Sequence, residues 1–452
     1  MTYDILKSRI RGTVITVFDA DHAAACDALI WNGRKPARQA RVIVRAADAA
    51  DVQEAVRYAA ANGLGLSART GGHHFTGIAA KADMVIDLGG LDTLRIDVAA
   101  REATIGPAAT NTRLASALER HGLAFPVGHC GSVPMGGYLL GGGIGWNSND
   151  WGFACHSVIS VDVVLADGRL VTASKDAHQD IFWAVRGAGP AFFGIVTAYR
   201  IALREAPRAM TTLVRVYPAS RVAEVAAWAE AAVERAPTIV EFTAKVEQSP
   251  AGPMIAAIAT VFASSEAEAH AILNDFGQDA PENPVAVMGP MPTCFQTLYG
   301  ITGASAPAGA RYGVDCAWSE ADIEPVLAQI ALAVGRAPSP KSFGLVTLRS
   351  NARPLPAISA FSVAGRLFAA TYGVWEDEEA DQANMTWLRD LSANLELLST
   401  GAYVGEADLD RPGRNLPTLS AAAQRDLETL RARHDPNRLF RRQTAVANRR
   451  AA

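Results

Sequence analysis

Two stretches of the sequence combine a high density of glycine with side chains that can do chemistry. Residues 69–77 read RTGGHHFTG, and residues 128–145 read GHCGSVPMGGYLLGGGIG. Glycine permits positive φ angles and lets bare backbone N–H groups approach a bulky anion such as a pyrophosphate. Neither stretch matches GxGxxG at a strand-to-helix turn, and GxxxxGK(S/T) is absent, so neither a Rossmann site nor an NTPase phosphate loop is indicated. The two stretches favour a dinucleotide site of another kind over glycines that serve only tight turns.

Short elements with mixed connections surround the two stretches. The pattern predicts strands over residues 42–44, 64–68 and 84–88, a helix capped by Asp48 with Asp51 and ended by Gly63, a helix over 111–121, and a hairpin over 158–174 that turns at Asp167-Gly168. This mixture predicts an α+β domain.

The character of the chain changes beyond about residue 205. Alanine-rich helices are predicted over residues 221–235, 265–273 and 378–398, and strands over 239–246, 254–262, 343–348 and 367–375. They indicate a second α+β unit, a sheet with helices on one face. The proline and glycine cluster over 289–310 is interpreted as a long surface loop, and loops of that length are often functional.

Length and composition restrict the class of protein. A chain of 452 residues exceeds the size at which one core usually stops growing, so two domains are expected. The net charge is -4 and the basic residues are scattered, which argues against nucleic acid as a partner. The basic end, with Arg441, Arg442, Arg449 and Arg450, is interpreted as a solvated tail.

The sequence also bears on compartment and metal binding. The five cysteines are an odd number without a CxxC pair, which disfavours a disulfide framework and a zinc site. No signal-like apolar run follows the start, and no stretch approaches 18 uncharged apolar residues. We therefore expect a soluble, cytoplasmic protein without a metal ion and without a membrane partner.

The two glycine-rich stretches resemble the signatures of a known family. RTGGHHFTG is similar to the RSGGH signature, and the stretch over 128–145 is similar to GxCxxVGxGGxxxGGGxG, of the berberine bridge enzyme-like FAD-linked oxidases within the vanillyl-alcohol oxidase superfamily. DIFWAVRGAG over 180–189 supports the resemblance, and HDPNRLF over 434–440 is similar to the family's YDPxNLF ending. The resemblance is strong over residues 36–205 and weaker over 400–443.

The resemblance implies a fold and a cofactor. The expected fold is the α+β, two-domain PCMH-type FAD-binding fold, with an FAD-binding domain over 1–205, a substrate domain over 206–399 built as an antiparallel sheet with helices, and a segment over 400–452 that returns to the FAD-binding domain. FAD is expected to be bound covalently twice, by His73 at the flavin 8α carbon and by Cys130 at C6. The expected cofactor contacts are Arg69, Thr70, Gly71, Gly72, His73, His74, Gly77, His129, Cys130, Val133, Gly136, Gly137, Leu140, Gly142, Gly143, Gly145, Ile195 and Val196.

The resemblance also implies a reaction. The expected activity is oxidation of a small organic substrate (an alcohol, phenol, amine or sugar, with a role in secondary metabolism favoured), with O2 as acceptor and H2O2 as product. One alternative is a flavin dehydrogenase or monooxygenase that uses another acceptor. The other is a non-catalytic binding protein without flavin. For the attachment residues themselves, the alternatives are a His73 that makes ordinary loop hydrogen bonds and a Cys130 that remains a core thiol, since some relatives keep only the histidine bond.

The catalytic base is harder to place. The family often carries Tyr-x-Asn-Tyr or Tyr-x-Asn-Phe near its end, where this chain has Tyr403-Val404-Gly405-Glu406. We predict that Tyr403 contacts flavin or substrate and that Glu406 or Asp408 supplies acid–base function. The alternatives are that Tyr403 is an ordinary strand tyrosine and that the two carboxylates lie in a solvated loop. His74 and His129 are each predicted either to face the flavin ring or to make structural hydrogen bonds. Four aromatic residues are candidates for the wall of a substrate pocket and also suit a core: Tyr299, Tyr312, Tyr372 and Trp375.

Overall fold

The computed structural model describes residues 3–440, so the basic tail lies outside the described residues. The helices are α1 (Asp4–Arg9), α2 (His22–Ala28), α3 (Ala49–Ala61), α4 (Asn111–Glu119), α5 (Met135–Leu140), α6 (Ser148–Trp151), α7 (Gln179–Val185), α8 (Val222–Arg235), α9 (Glu266–Phe276), α10 (Phe295–Ser305), α11 (Ile323–Val334), α12 (Asp381–Glu396) and α13 (Ala421–His434). The strands are β1 (Thr13–Thr16), β2 (Val42–Arg45), β3 (Leu66–Arg69), β4 (Met84–Asp87), β5 (Leu94–Asp97), β6 (Glu102–Ile105), β7 (Leu123–Ala124), β8 (Val158–Leu165), β9 (Leu170–Ser174), β10 (Gly194–Ala202), β11 (Arg204–Glu205), β12 (Ala209–Pro218), β13 (Val240–Ser249), β14 (Gly252–Ala263), β15 (Ala286–Thr293), β16 (Arg311–Ser319), β17 (Phe343–Leu348) and β18 (Leu367–Trp375). Within residues 3–440, no helix has both the length and the apolar character needed to cross a lipid bilayer.

A small sheet delivers the first glycine-rich stretch to the site. Its strand order is β1-β2-β4-β3, with β2, β4 and β3 parallel and β1 antiparallel. The stretch begins at Arg69, the last residue of β3, so it leaves the sheet at the carboxyl end of that strand. Near the end of the described chain, the amide of Leu66 donates to the carbonyl of Leu439 at 2.9 Å, which brings that segment back to β3.

A second sheet supports the other glycine-rich stretch. Its order is β5-β6-β10-β8-β9, and all neighbours are antiparallel. The hairpin prediction is confirmed, because β8 and β9 pair directly and Gly168 turns the chain with φ 77°. The hydroxyl of Tyr199 on β10 donates to the carbonyl of Gly136 at 3.0 Å, which ties the second stretch to this sheet.

The start of α3 differs in detail from the sequence prediction. Asp48 caps the helix, because its side chain accepts the amides of Ala50 at 2.9 Å and Asp51 at 3.1 Å. Asp51 does not reach back to Asp48. Its buried carboxylate instead accepts the amides of Arg11, Gly12 and Ala47 at 2.8–2.9 Å, which ties α3 to the β1 and β2 ends.

Replacing Asp51 by alanine is expected to destabilise the protein by about 3 kcal/mol, because three amides at a buried junction lose one charged acceptor. Denaturation midpoints in urea and hydrogen exchange at the amides of Arg11 and Gly12 measure the loss. Asp48→Ala is the matched control and is expected to cost about 1 kcal/mol through the lost cap alone. Equal losses in the two variants would contradict the central role of Asp51.

A seven-stranded antiparallel sheet forms the second unit. Its order is β15-β12-β14-β13-β17-β18-β16. One face packs under α8, α9, α11 and α12, so the prediction of helices on one face is confirmed. Since side chains alternate along a strand, Phe242, Ala244 and Val246 of β13 face that core, and the intervening residues face the glycine-rich stretches.

The prediction of a surface loop over residues 289–310 is wrong. This segment contains most of β15 and all of α10. Proline is tolerated in a strand at a sheet edge or a bulge, and Pro290 lies in the edge strand next to the register shift between Thr212 and Val214. Helix α10 forms because Leu298 and Tyr299 bury one side of it against the core.

Candidate active site

One cavity of about 550 Å³ lies between the two glycine-rich stretches and the open face of the seven-stranded sheet. The predicted site residues that line it are Arg69, Thr70, Gly71, Gly72, His73, His74, His129, Cys130, Val133, Gly137, Leu140, Tyr403 and Glu406. Those that do not line it are Gly77, Gly136, Gly142, Gly143, Gly145, Ile195 and Val196. This second group lies behind the wall of the cavity and shapes the loops.

Backbone geometry explains two of the glycines. Gly72 has φ 66°, and a Cβ there would lie 1.9 Å from the carbonyl oxygen of Leu29. Gly143 has φ 79°, and a Cβ there would lie 2.8 Å from the Ala154 side chain. Both positions need glycine for the turn and for the close approach.

His73 is presented to the cavity as a neutral imidazole. Its ring stacks on Trp31 with a centroid distance of 5.0 Å and an interplanar angle of 23°. Burial, assisted by the charge of Arg69, lowers the pKa of His73 to about 4. The ring also hydrogen-bonds to the backbone of Ser132, so the two glycine-rich stretches are in contact at this point. A neutral imidazole keeps a nitrogen lone pair that can act as a nucleophile.

Cys130 lies in a loop that is held from two sides. Asn111 at the start of α4 donates to the carbonyls of Cys130 and Val133, both at 3.0 Å, and accepts the amide of Gly128 at 2.8 Å. From the other side, Thr302 of α10 donates to the carbonyl of His129 at 2.8 Å. Asn111 is fully buried, and sequence reasoning missed it because one asparagine at a helix start carries no signal of such a role.

Glu406 and Tyr372 form a hydrogen-bonded pair in the cavity. The hydroxyl of Tyr372 donates to Oε2 of Glu406 at 2.7 Å. The ring of Tyr372 stacks on Phe343 with a centroid distance of 4.7 Å. Burial raises the pKa of the Glu406 carboxyl, against the Tyr372 hydrogen bond and the charge of His129, which lower it. A carboxylate with a raised pKa in a cavity is suited to accept a proton near neutral pH.

The structure places Asp408 elsewhere, which corrects the prediction that it could share the acid–base role. Asp408 is 1% exposed and does not line the cavity. Its Oδ2 accepts Nε of Arg389 at 2.9 Å, and its amide donates to Asp315 at 3.0 Å. The acid two residues after Glu406 therefore anchors this segment to the second sheet.

His129 carries a different charge from His73. Its Nε2 lies 2.7 Å from Oε1 of Glu241, a residue of β13. Burial opposes protonation of His129, but the Glu241 carboxylate outweighs it and raises the pKa of His129. The ring also packs on Trp146 with a centroid distance of 4.2 Å. The contact with Glu241 therefore favours the protonated form of His129 in the wall next to Cys130, and sequence reasoning had not identified this partner.

Comparisons with known proteins show what the chain is similar to. Residues 40–174 match the FAD binding domain family. The FAD-linked oxidoreductase nodO of Hypoxylon pulicicidum is 27% identical over 91% of this chain and 92% of that protein. (R)-6-hydroxynicotine oxidase of Paenarthrobacter nicotinovorans is 37% identical over 44% of this chain and 43% of that protein. The structure of berberine bridge enzyme from Eschscholzia californica superposes with a TM-score of 0.84 at 16% identity, over 98% of each chain, which shows the fold.

The chain is an enzyme with an FAD binding domain, is similar over most of its length to FAD-linked oxidoreductases, and has the fold of the berberine bridge enzyme-like, PCMH-type proteins. The family prediction, the two-domain α+β fold and the assignment as an enzyme are thereby confirmed. The parts of the site that remain to be described can now be related to FAD.

The residues of this oxidoreductase fit a dinucleotide. The cavity passes between β3 and the second glycine-rich stretch and continues to the seven-stranded sheet. At Gly137, which lines it, no atom of the described residues lies within 4 Å of the place a Cβ would take. A side chain there would project into the space, whereas bare backbone leaves room for the cofactor. His73 and Cys130 line the same space.

His74 and Tyr403 support the oxidoreductase's loops. Nε2 of His74 lies 3.0 Å from the carbonyl of Val404, and its Nδ1 lies 3.0 Å from the Thr76 hydroxyl, so both nitrogens have partners within the protein. The hydroxyl of Tyr403 faces the backbone of Gly143 and its neighbour Ile144. Both side chains therefore join residues 403–406 to the FAD-binding loops.

The departure from the family's Tyr-x-Asn motif has a physical reason. The ring of Tyr403 folds over Gly405, and a Cβ at Gly405 would lie 2.6 Å from that ring. An asparagine could not occupy this position without moving Tyr403. The glycine thus leaves room for the Tyr403 ring, and the next residue, Glu406, lines the cavity.

Of the four aromatic residues predicted as pocket walls of the oxidoreductase, only Tyr372 lines the cavity. Tyr299 packs against Gly131, where a Cβ would lie 3.1 Å from its ring. Tyr312 is fully buried and lies 5.0 Å from Trp31 between ring centroids. Trp375 donates its indole N–H to Asp381 at 2.7 Å. For these three residues the alternative interpretation, a place in the core, agrees with the structure, because each ring packs within the protein away from the cavity.

Proposed function

We propose that this enzyme holds FAD on two covalent bonds, from His73 to the flavin 8α carbon and from Cys130 to C6, and oxidises a small organic alcohol, phenol or amine with O2 as acceptor. One observation carries the proposal. His73, Cys130 and the Tyr372–Glu406 pair line a single cavity, so attachment of the cofactor and removal of a substrate proton would take place side by side.

The residues that would hold FAD are those of the two glycine-rich stretches that line the cavity. Bound FAD supplies an acceptor for the hydride that leaves the substrate carbon, and through it the electrons reach O2. We propose that the FAD-binding unit comprises residues 1–205 and 400–452 and that residues 206–399 form the substrate unit, because the seven-stranded sheet contributes the opposite wall.

We propose Glu406 as the proton acceptor. Its carboxylate would take the proton from the substrate hydroxyl or amine as the adjacent carbon loses hydride, and the Tyr372 hydroxyl would orient that carboxylate through the 2.7 Å hydrogen bond. His129 would place a positive charge in the wall beside Cys130 and favour negative charge in that part of the cavity. For a secondary alcohol, one molecule of alcohol and one of O2 would give one molecule of ketone and one of hydrogen peroxide.

The role of Tyr403 follows from its contacts. Because its hydroxyl faces the backbone at Gly143 and Ile144, we propose that Tyr403 is a positioning residue that fixes the segment carrying Glu406. This replaces the direct catalytic role that the family motif suggested.

The proposed activity is tested by mixing the purified protein with aromatic alcohols, phenols, cyclic amines and oligosaccharides, first without air and then in air. We expect at least one substrate to bleach the flavin absorbance anaerobically and to yield one H2O2 per substrate oxidised in air. Bleaching without peroxide in air would indicate a dehydrogenase with another acceptor. A purified protein without flavin absorbance would contradict the proposal as a whole.

A further inference from the structure

The floor of the cavity is much longer than the reactive end requires. It extends across the seven-stranded sheet from Tyr372 on β18 to Met291 on the edge strand β15. The path crosses five inter-strand spacings, which amounts to roughly 24 Å. Glu406 lies at one end of this floor, so the other end must serve a part of the ligand remote from the reacting carbon.

The remote end has apolar residues on two facing sides. We define the distal arm by five residues that line the cavity there: Val214, Ile258, Met291, Leu298 and Ile301. Val214 and Ile258 are directly paired on β12 and β14, and Met291 pairs with Thr212 in the next row. Leu298 and Ile301 belong to α10 and form the facing wall, with Ile301 50% exposed at the open end.

The polar groups of the floor already have partners within the protein. The Thr212 hydroxyl lies 3.0 Å from that of Thr260 and 3.2 Å from that of Thr293. The Thr243 and Thr347 hydroxyls lie 2.9 Å apart. Hydroxyls paired in this way are poor partners for a sugar, because a sugar would have to displace bonds that are already made.

The charged groups of the floor are engaged as well. Nζ of Lys245 lies 2.6 Å from Oε2 of Glu247 and 3.0 Å from the hydroxyl of Ser305. Glu241 is held by His129 at 2.7 Å. Among residues 3–440, the carboxylate of Glu406 has only the Tyr372 hydroxyl within hydrogen-bond distance, so it is the floor carboxylate without a cationic partner in contact.

We propose that the substrate is an elongated molecule whose proton-bearing group lies at Glu406 and whose apolar body fills the distal arm. The proposal rests on the proposed function for the position of the reacting end. It selects lipophilic alcohols, phenols or amines from the wider range of possible substrates and excludes oligosaccharides, because the described residues of the arm offer apolar surface and no free polar group along most of the floor.

The test is anaerobic titration calorimetry of the purified protein with benzyl alcohol, 4-ethyl-, 4-butyl- and 4-hexylbenzyl alcohol, and cellotriose. Burial of each added methylene in the arm should tighten binding about fourfold, and cellotriose should bind more weakly than every alkylated alcohol. In Ile301→Asp the ratio of hexylbenzyl to benzyl alcohol affinity should fall about tenfold. The matched control is Leu332→Asp, since Leu332 is 58% exposed on α11 and does not line the cavity; its ratio should equal that of the wild type.

Four results would overturn the inference: an affinity that does not rise with chain length, an Ile301→Asp ratio equal to that of the wild type, cellotriose as the tightest ligand, or absence of binding by every alcohol. Calorimetry does not require turnover, so the proposed function fails separately, when no ligand bleaches the flavin. If benzyl alcohol bleached the flavin but affinity did not change along the alkylated alcohols, the distal-arm proposal would fail and the oxidase proposal would stand.

Discussion

Replacing Glu406 by glutamine is expected to slow substrate oxidation by about 100- to 10,000-fold, the range that removal of a general base commonly costs. The amide has nearly the size of the carboxylate and can still accept the Tyr372 hydroxyl, so the shape of the cavity should persist. It cannot take up a proton. The rate of anaerobic flavin bleaching in a single turnover measures the step directly, and the absorbance before mixing checks that the cofactor is retained.

The pH dependence of the same step has a definite sign. Burial raises the pKa of the Glu406 carboxyl, and the carboxylate is the form that accepts a proton. The rate in the wild type should therefore fall as the pH drops through this raised pKa, by tenfold for each further pH unit. This fall in rate at low pH, the acidic limb of the profile, is not expected from the neighbouring groups. Burial and the carboxylate hold the pKa of Tyr372 well above its usual value, and the pKa of Cys316, behind Glu406, is likewise raised well above its usual value.

His129 is the neighbour that could complicate this profile. Glu241 raises the pKa of His129 against the effect of burial, and Glu406→Gln leaves this histidine in place, so any contribution of His129 to the profile should persist in the variant. In Glu406→Gln the acidic limb should be absent. Glu378→Gln is the control, because this side chain is 82% exposed and remote from the cavity, and both its rate and its acidic limb should match the wild type. If Glu406→Gln kept both the wild-type rate of flavin bleaching and the acidic limb of its pH profile, the base would be another group.

Local sequence was sufficient where structure depends on neighbours along the chain. The turn at Gly168 and the capped start of α3 at Asp48 were predictable, because each rests on contacts within a few residues. The glycine-rich stretches were predictable for the same reason, since a density of glycine in one segment has few uses other than close backbone approach. His73 and Cys130 could be placed at the site only because they lie within those stretches.

The rest depends on contacts between distant segments. Glu241 lies opposite His129 through the docking of β13, and Thr302 reaches the same loop through α10. Residues 289–310 look like a loop in isolation, because proline and glycine disfavour regular structure. They form a strand and a helix only because β12 offers an unpaired edge and the core accepts Leu298. Asp408 shows the opposite error: local sequence suggested an acid–base role, but its carboxylate binds Arg389 of α12, a residue distant from the motif.

Acid precipitation is expected to give a yellow pellet for the wild type and also for His73→Ala and Cys130→Ala, each with the mass of one FAD. In the double variant all of the flavin should remain in the supernatant. Each proposed bond replaces one hydrogen on the flavin and one on the side chain, and both hydrogens leave with O2 as H2O2. His73 can act because burial lowers its pKa to about 4 and keeps its ring neutral. Mass spectrometry of the intact chains and of flavin-bearing peptides locates each bond.

The chain supplies a matched control for the cysteine. Cys294 is also half-buried and free, but it precedes α10 and does not line the cavity, so Cys294→Ala should leave both bonds in place. Flavin that washes out of the wild type, or that is lost entirely in His73→Ala alone, would refute the double attachment and leave Cys130 as a loop thiol. Such a loss would be unexpected on structural grounds, since Asn111 and Thr302 hold the Cys130 loop through contacts that do not involve His73. The position of Cys130 against the cavity should therefore survive removal of the imidazole, and with it the second bond.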